Sequence, residues 1–162
     1  MNLIVYGSLL NPKELEKHNI SLDRVKFVKV QGYKRVFNQE PSWRKVSSNK
    51  RAVLNIQSSK DSWFNAIAIT DLEKEYFVEL DEREKGYDRI HIPNGDVKTY
   101  SGDVLQDCIV YKGKPEKQNN DIEPNSDYFK ICLEGAKSHF DQFYYDYIST
   151  TYRNKEKKLM LI

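Results

Sequence analysis

The chain has 162 residues, enough for one domain that buries roughly two-thirds of its unfolded surface in a single core. Its 26 basic and 24 acidic side chains leave a net charge of +2, which argues against nucleic acid or a membrane surface as the main partner and favours a small molecule. No apolar stretch reaches the length of a membrane span, and the first apolar run is too short for a secretory signal and lacks its basic flank, so the expected compartment is the cytoplasm.

Leu3-Ile4-Val5-Tyr6 has the apolar, β-branched and aromatic makeup of a buried strand. Gly7 follows, where backbone angles closed to other residues become available, and a turn is expected. Asn11-Pro12-Lys13-Glu14 then supplies a capping side chain, a proline for the first helical position and a glutamate placed to reach back. Tyr6-Gly7-Ser8-Leu9 therefore joins a strand to a helix. Successive N–H groups at such a turn either cradle a carboxylate or phosphate or serve only as a connection.

Residues 25–37 alternate apolar and basic side chains around Gly32, as one long strand or two short ones with a wet face. Residues 38–51 are polar and read as a loop, followed by a strand at Ala52-Val53-Leu54-Asn55-Ile56 and another over 63–69. Thr70-Asp71-Leu72-Glu73 has capping-box spacing and predicts a helix to about Glu84, with Gly86 as the left-handed residue that ends it. Asn94-Gly95 predicts a hairpin between two antiparallel strands, and residues 104–111 a further strand. Residues 112–125 carry three lysines, three asparagines and two prolines and read as a mobile loop. Ser126 caps a helix whose Tyr128, Cys132, Ala136 and Phe140 recur at intervals of four, and a last helix carries Phe143, Tyr144, Tyr147, Ile148 and Thr151. The domain is expected over residues 1–152, with 153–162 a solvated tail holding Lys155, Lys157 and Lys158 around Glu156.

Cys108 and Cys132 show no paired spacing, and His18, His91 and His139 are scattered, so neither a metal site nor a cofactor is indicated. Glu84 stands out through its register. Leu72, Tyr76 and Leu80 are spaced by four and face the core, and Glu84 is the next member of that row. A carboxylate in that place either turns out to water at the helix end or enters an apolar pocket, where desolvation raises its pKa and suits it to take and return a proton.

Tyr6-Gly7-Ser8-Leu9 together with Leu80-Asp81-Glu82-Arg83-Glu84 resembles the gamma-glutamylcyclotransferase-like family, which carries a Tyr-Gly-Ser-Leu loop after the first strand and a later Leu-Asp-x-x-Glu segment. The likeness extends in the same order to 32–37, 52–56, Gly86-Tyr87-Asp88-Arg89, and Ser126 and Tyr128 followed by Gly135-Ala136. The resemblance implies an α+β fold, a single-domain mixed β-barrel with packed helices. It implies an enzyme that releases an amine or amino acid from a small γ-glutamyl compound as the glutamyl group cyclises to 5-oxoproline, without metal or cofactor. Carried over by position, Gly7, Ser8 and Leu9 hold the glutamyl α-carboxylate and Glu84 is the acid–base residue. Tyr6 and Tyr128 either orient substrate through their hydroxyls or belong to the core. Where family members often have glycine, this chain reads Trp63-Phe64-Asn65-Ala66, so a narrowed pocket or an altered leaving-group end is expected. The alternative is a module that binds a carboxylate metabolite without turning it over.

Overall fold

Apolar, β-branched and aromatic residues from Val25 onward form β2 (Val25–Gln39), which passes through Gly32 without ending. In this computed structural model, which describes residues 1–42, 47–154 and 157–159, Gly32 has φ +96° and breaks the register against the next strand. Gln31 pairs with Trp63 and Tyr33 with Ser58, so residues 59–62 bulge opposite one glycine. The two apolar segments at 52–56 and 63–69 are therefore one strand, β3 (Lys50–Ile69), and their polar link is its surface bulge.

The polar stretch at 38–51 is only partly a loop. Asn38 and Gln39 finish β2 with fully buried side chains, and Lys50 and Arg51 already belong to β3, while residues 43–46 lie outside the described residues. Hydrogen bonds offset part of the cost of that burial: Asn55 Nδ2 donates to Asn38 Oδ1 at 3.1 Å, and Gln39 Nε2 to the Gly86 carbonyl at 2.7 Å, while Gln39 Oε1 has no partner among the described residues.

The remaining elements are β1 (Asn2–Val5), α1 (Pro12–Lys17), α2 (Lys74–Arg83), β4 (Tyr87–Ile92), β5 (Val97–Thr99), β6 (Cys108–Gly113), β7 (Glu123–Pro124), α3 (Ser126–Lys137), α4 (Asp141–Thr150), β8 (Thr151–Asn154) and β9 (Lys157–Lys158). The strands run in the order β4-β6-β1-β3-β2-β8-β9, with β5 on β2 and β7 on β3. β1 is antiparallel to β3 and parallel to β6, so the sheet is mixed. It curls into a half-barrel around Ile4, Phe37, Ile56, Phe64 and Ile67, and the helices close the single core. Among the described residues, no helix is long and apolar enough to cross a membrane.

Several boundaries differ from the sequence reading. Thr70 does not cap α2; its N–H and hydroxyl both donate to the Arg24 carbonyl, Asp71 takes φ +58°, and the helix begins at Lys74. Asn94-Gly95 does make the turn, with Gly95 at φ +99°, but the flanking strands part: β4 pairs with β6 and β5 with β2. The expected strand over 104–111 begins only at Cys108. Residues 112–125 are fastened rather than free, since Asn119 N–H donates to Asn38 O, Glu40 N–H to Lys117 O, and Ile122 is buried. Asn125, one residue before Ser126, caps α3 by accepting from Tyr128 N–H at 2.9 Å. The chain does not close on a helix either. β8 follows α4 directly and pairs in parallel with Arg35 and Val36 of β2. Within the expected tail, residues 155, 156 and 160–162 lie outside the described residues.

Arg35, read from its pattern as part of a wet strand face, is fully buried. Its guanidinium donates to Thr151 Oγ1, Thr150 Oγ1, Tyr147 O, Asn65 O and Asn65 Oδ1, and lies 4.2 Å from the Tyr147 ring centroid. Burial lowers its pKa to about 10, and these acceptors stitch α4 and β8 onto β2 and β3.

Candidate active site

The loop after β1 leaves the middle of the sheet and folds into a short 3₁₀ turn over Ser8–Leu10, whose first bond runs from Leu10 N–H to Gly7 O. The N–H groups of Gly7, Ser8 and Leu9 precede that bonded donor and have no acceptor within the turn. Asn11 ends the loop and caps α1, accepting from Lys13 N–H at 3.0 Å, while its own side chain donates to Ile131 O of α3. Glu14 does not reach back to the cap; it pairs with Lys17 at 2.9 Å. Gly7 has φ −118° and ψ −128°, so a left-handed conformation is not what requires glycine. A Cβ there would stand 2.5 Å from the Tyr128 hydroxyl oxygen.

Beside this loop lies a cavity of about 480 Å³. Tyr6, Gly7, Ser8 and Leu9 line it from β1 and the loop, Glu84 from the end of α2, and Tyr128 from α3. All six residues expected at the site therefore share one hollow. Tyr87 and Tyr111, on β4 and β6, and Glu14, Lys17, His18 and Arg83 add further polar lining, and none of them was singled out as a site residue by the sequence reading.

Glu84 is the C-terminal cap of α2, with φ −97° and ψ 48°, and its N–H still donates to Leu80 O. The buried face of the helix is Phe77 and Leu80, followed by Glu84, whereas Tyr76 sits half-buried on the flank. The row at intervals of three and four thus aims Glu84 inward, as the spacing predicts, through Phe77 in place of Tyr76. Gly86 is not the left-handed end residue; its carbonyl accepts from Gln39 Nε2 and Lys114 N–H. Among the described residues, none donates a hydrogen bond to the Glu84 carboxylate. Burial raises its pKa, against a smaller opposing pull from Arg83.

Around the carboxylate, three tyrosines point their hydroxyls at protein acceptors. Tyr6 donates to Tyr111 O at 2.6 Å, Tyr87 to Leu54 O at 2.7 Å, and Tyr111 to Asp81 Oδ1 at 2.7 Å. Desolvation, with the Glu84 charge adding to it, holds the pKa values of Tyr6 and Tyr87 well above the usual phenol range, and burial does the same for Tyr128. These groups stay neutral. Tyr6 therefore offers the cavity its ring, which stacks edge-on against Phe64, and commits its hydroxyl elsewhere. At the rim, Arg83 Nη1 and Nη2 lie 3.1 and 2.9 Å from the two ring nitrogens of His18.

The sequence matches no protein-family model and no curated protein. Its structure, however, superposes on a solved gamma-glutamyl cyclotransferase with a TM-score of 0.67 at 19% identity, over 98% of this chain and 92% of that one. The chain has the gamma-glutamyl cyclotransferase fold. An uncharacterized protein from Homo sapiens is similar over the same shares, with a TM-score of 0.64 at 20% identity. YkqA from Bacillus subtilis matches 90% of this chain with a TM-score of 0.69 at 14% identity, and the chain spans about half of that protein, 51%.

On this gamma-glutamyl cyclotransferase fold, Asn65 does not face the cavity. Its side chain is fully buried between Arg35, Tyr100 and the Phe143 carbonyl, so it neither narrows the hollow nor reshapes a leaving-group end there. Residues 112–125 likewise contribute nothing to the lining. Cys108 and Cys132 are buried and not joined in a disulfide, and among the described residues no cluster of three or more His, Cys, Asp or Glu side chains is placed to hold a metal.

Proposed function

We propose that the protein is a gamma-glutamyl cyclotransferase, releasing 5-oxoproline and an amine or amino acid from a small γ-glutamyl compound. One observation carries the reading: a desolvated carboxylate with no hydrogen-bond donor of its own among the described residues, Glu84, lines the same cavity as the Gly7, Ser8 and Leu9 turn, whose N–H groups have no acceptor among the described residues. The hollow has the size range of a small-molecule site.

In this reading the turn amides hold the glutamyl α-carboxylate, which puts the neighbouring α-ammonium next to Glu84. An α-ammonium has a pKa of roughly 8 and cannot attack until it loses a proton. Glu84, ionised, takes that proton. The amine nitrogen then bonds to the γ-carbonyl carbon, and the C–N bond to the leaving amine breaks as Glu84 returns the proton to that nitrogen. The second proton that the new ring nitrogen sheds passes by way of Glu84 to the same amine, which departs as an ammonium ion. Atoms and charge balance without a further reactant. The cavity contributes by keeping the chain curled, with amine and carbonyl in reach.

The test is release of 5-oxoproline from a panel of glutathione, γ-glutamyl dipeptides and γ-glutamyl-lysine. Turnover of at least one, lost in a folded Glu84→Gln variant, is the expected result. No product from any member, or full activity in Glu84→Gln, overturns the reading. Saturable binding of a carboxylate metabolite with no product would instead favour the non-catalytic alternative.

A further inference from the structure

Two fastenings bracket Glu84. Downstream, Gly86 O accepts from both Gln39 Nε2 at 2.7 Å and Lys114 N–H at 2.9 Å, and Tyr87 ties its hydroxyl to Leu54 O. Upstream, one turn earlier on the same helix, Asp81 Oδ1 accepts from the Tyr111 hydroxyl at 2.7 Å. Arg89, the residue paired across the strands with Tyr111, adds an ion pair to Asp81 at 3.5 Å, but both partners are partly exposed and such a pair contributes little. The downstream side is held by backbone and several donors. The upstream side is held by the burial of Phe77 and Leu80 and, beyond that packing, by the Tyr111 hydroxyl on Asp81.

Tyr111 also reaches the other half of the site. Its carbonyl accepts from Tyr6, the residue immediately before Gly7, at 2.6 Å. One nearly buried residue on β6 therefore touches both the arm that presents the loop amides and the helix that presents Glu84. We propose that Tyr111 is a positioning residue, which through its carbonyl on Tyr6 and its hydroxyl on Asp81 fixes the separation between the Gly7 to Leu9 turn and Glu84.

This inference rests on the cyclotransferase reading for its kinetic consequence, yet it has a physical consequence of its own. With the upstream fastening lost, the last turn of α2 moves outward and the Glu84 carboxyl gains water. Arg83 moves with that turn, while the titratable groups that share the cavity from other elements stay in place: Tyr6 after β1, Glu14, Lys17 and His18 from α1 and its end, Tyr87 from β4, Tyr111 from β6 and Tyr128 from α3. The carboxyl then titrates at lower pH.

The experiment compares Tyr111→Phe, Asp81→Ala and Asp81→Asn in the whole chain, by 13C NMR titration of the Glu84 carboxyl, identified by its loss in Glu84→Gln, and by 5-oxoproline kinetics. Tyr111→Phe keeps the ring and removes the bond. It is expected to move the Glu84 titration toward that of an ordinary carboxylate and to lower kcat about tenfold, with KM little changed. Asp81→Ala, at an exposed position where folding is not at risk, should reproduce both effects. Asp81→Asn retains an acceptor oxygen for the Tyr111 hydroxyl and should restore most of the wild-type behaviour.

Unchanged Glu84 titration in both Tyr111→Phe and Asp81→Ala overturns the inference. So does an Asp81→Asn variant as impaired as Asp81→Ala. If the wild type releases no 5-oxoproline from any substrate, the functional reading falls, and the titrations still decide whether Tyr111 positions Glu84.

Discussion

Gly7 and Tyr128 meet so closely that a single added methyl group would stand 2.5 Å from the phenolic oxygen. Gly7→Ala is therefore expected to push the turn or α3 aside, costing about 1–3 kcal/mol of stability and raising KM as the loop amides shift. The next atoms a Cβ would meet are 3.6 and 3.8 Å away, so the hydroxyl is the whole obstacle. Adding Tyr128→Phe should accordingly recover part of the melting temperature lost to Gly7→Ala, a non-additivity that thermal denaturation of the single and double variants would reveal. Strictly additive losses would mean that the two residues do not oppose each other.

Glu84→Gln removes the proton carrier while keeping the shape. For a general acid–base residue the expected fall in kcat is roughly 10²–10⁴-fold, with circular dichroism unchanged. In the wild type, kcat should rise with pH as Glu84 ionises, and because burial raises its pKa this limb should lie above the ordinary carboxylate range. Tyr6, Tyr87 and Tyr128, all held well above the usual phenol pKa, should add no second limb below pH 10. A limb at an ordinary carboxylate pKa would count against a buried Glu84 as the titrating group.

These site residues differ in how well the sequence announces them. The turn at Gly7 and the cap at Asn11 are local: a strand, a glycine and a capping side chain lie within ten residues, and the same contacts would form in many folds. Glu84 is readable because helical geometry puts residues three and four apart on one face, although the period does not distinguish Tyr76 from Phe77 as the buried neighbour. Tyr111 and Asp81 are thirty residues apart and meet only because α2 is laid across β4 and β6, which no local pattern encodes. The Asn94-Gly95 turn fails in the same way. Its dipeptide dictates backbone angles, whereas the partners of β4 and β5 are set by the core. Arg35 is the plainest loss, since alternation marks it as solvent-facing, while the acceptors that let it be buried come from Asn65 on β3 and from α4 and β8, which arrive more than a hundred residues later.

Asn65 tests that buried network directly. Replacing it with glycine, the residue often found in the resembling family, deletes an acceptor of Arg35 and two donor bonds, to Tyr100 and to the Phe143 carbonyl. The expected cost is about 2–4 kcal/mol, because a buried cation and a buried carbonyl lose partners. Substrate preference should not move, since Asn65 is absent from the cavity wall. Ratios of kcat/KM for two γ-glutamyl compounds, measured beside the denaturant midpoint, separate these outcomes. A changed ratio at unchanged stability would place Asn65 in the site after all.

Stability should also reveal the state of Glu84, with a sign opposite to that of most carboxylates. Burial raises its folded-state pKa, so the folded protein keeps this proton to higher pH than the unfolded chain does. The stability contributed by the group is whole below the ordinary value of 4.5 and is lost as pH rises through the raised one. At pH 7 the ionised carboxylate therefore opposes folding, with no hydrogen bond among the described residues to offset its desolvation. The amide introduced by Glu84→Gln cannot ionise. That variant should thus melt above the wild type at pH 7 and converge with it near pH 4, which calorimetry at the two pH values would measure. A wild type more stable than Glu84→Gln at pH 7 would show that the charge is held by a stabilising partner, and a carboxylate so held is a poor proton carrier. A gain at neutral pH coupled to a lost reaction would mark Glu84 as a residue kept for chemistry at the expense of the fold.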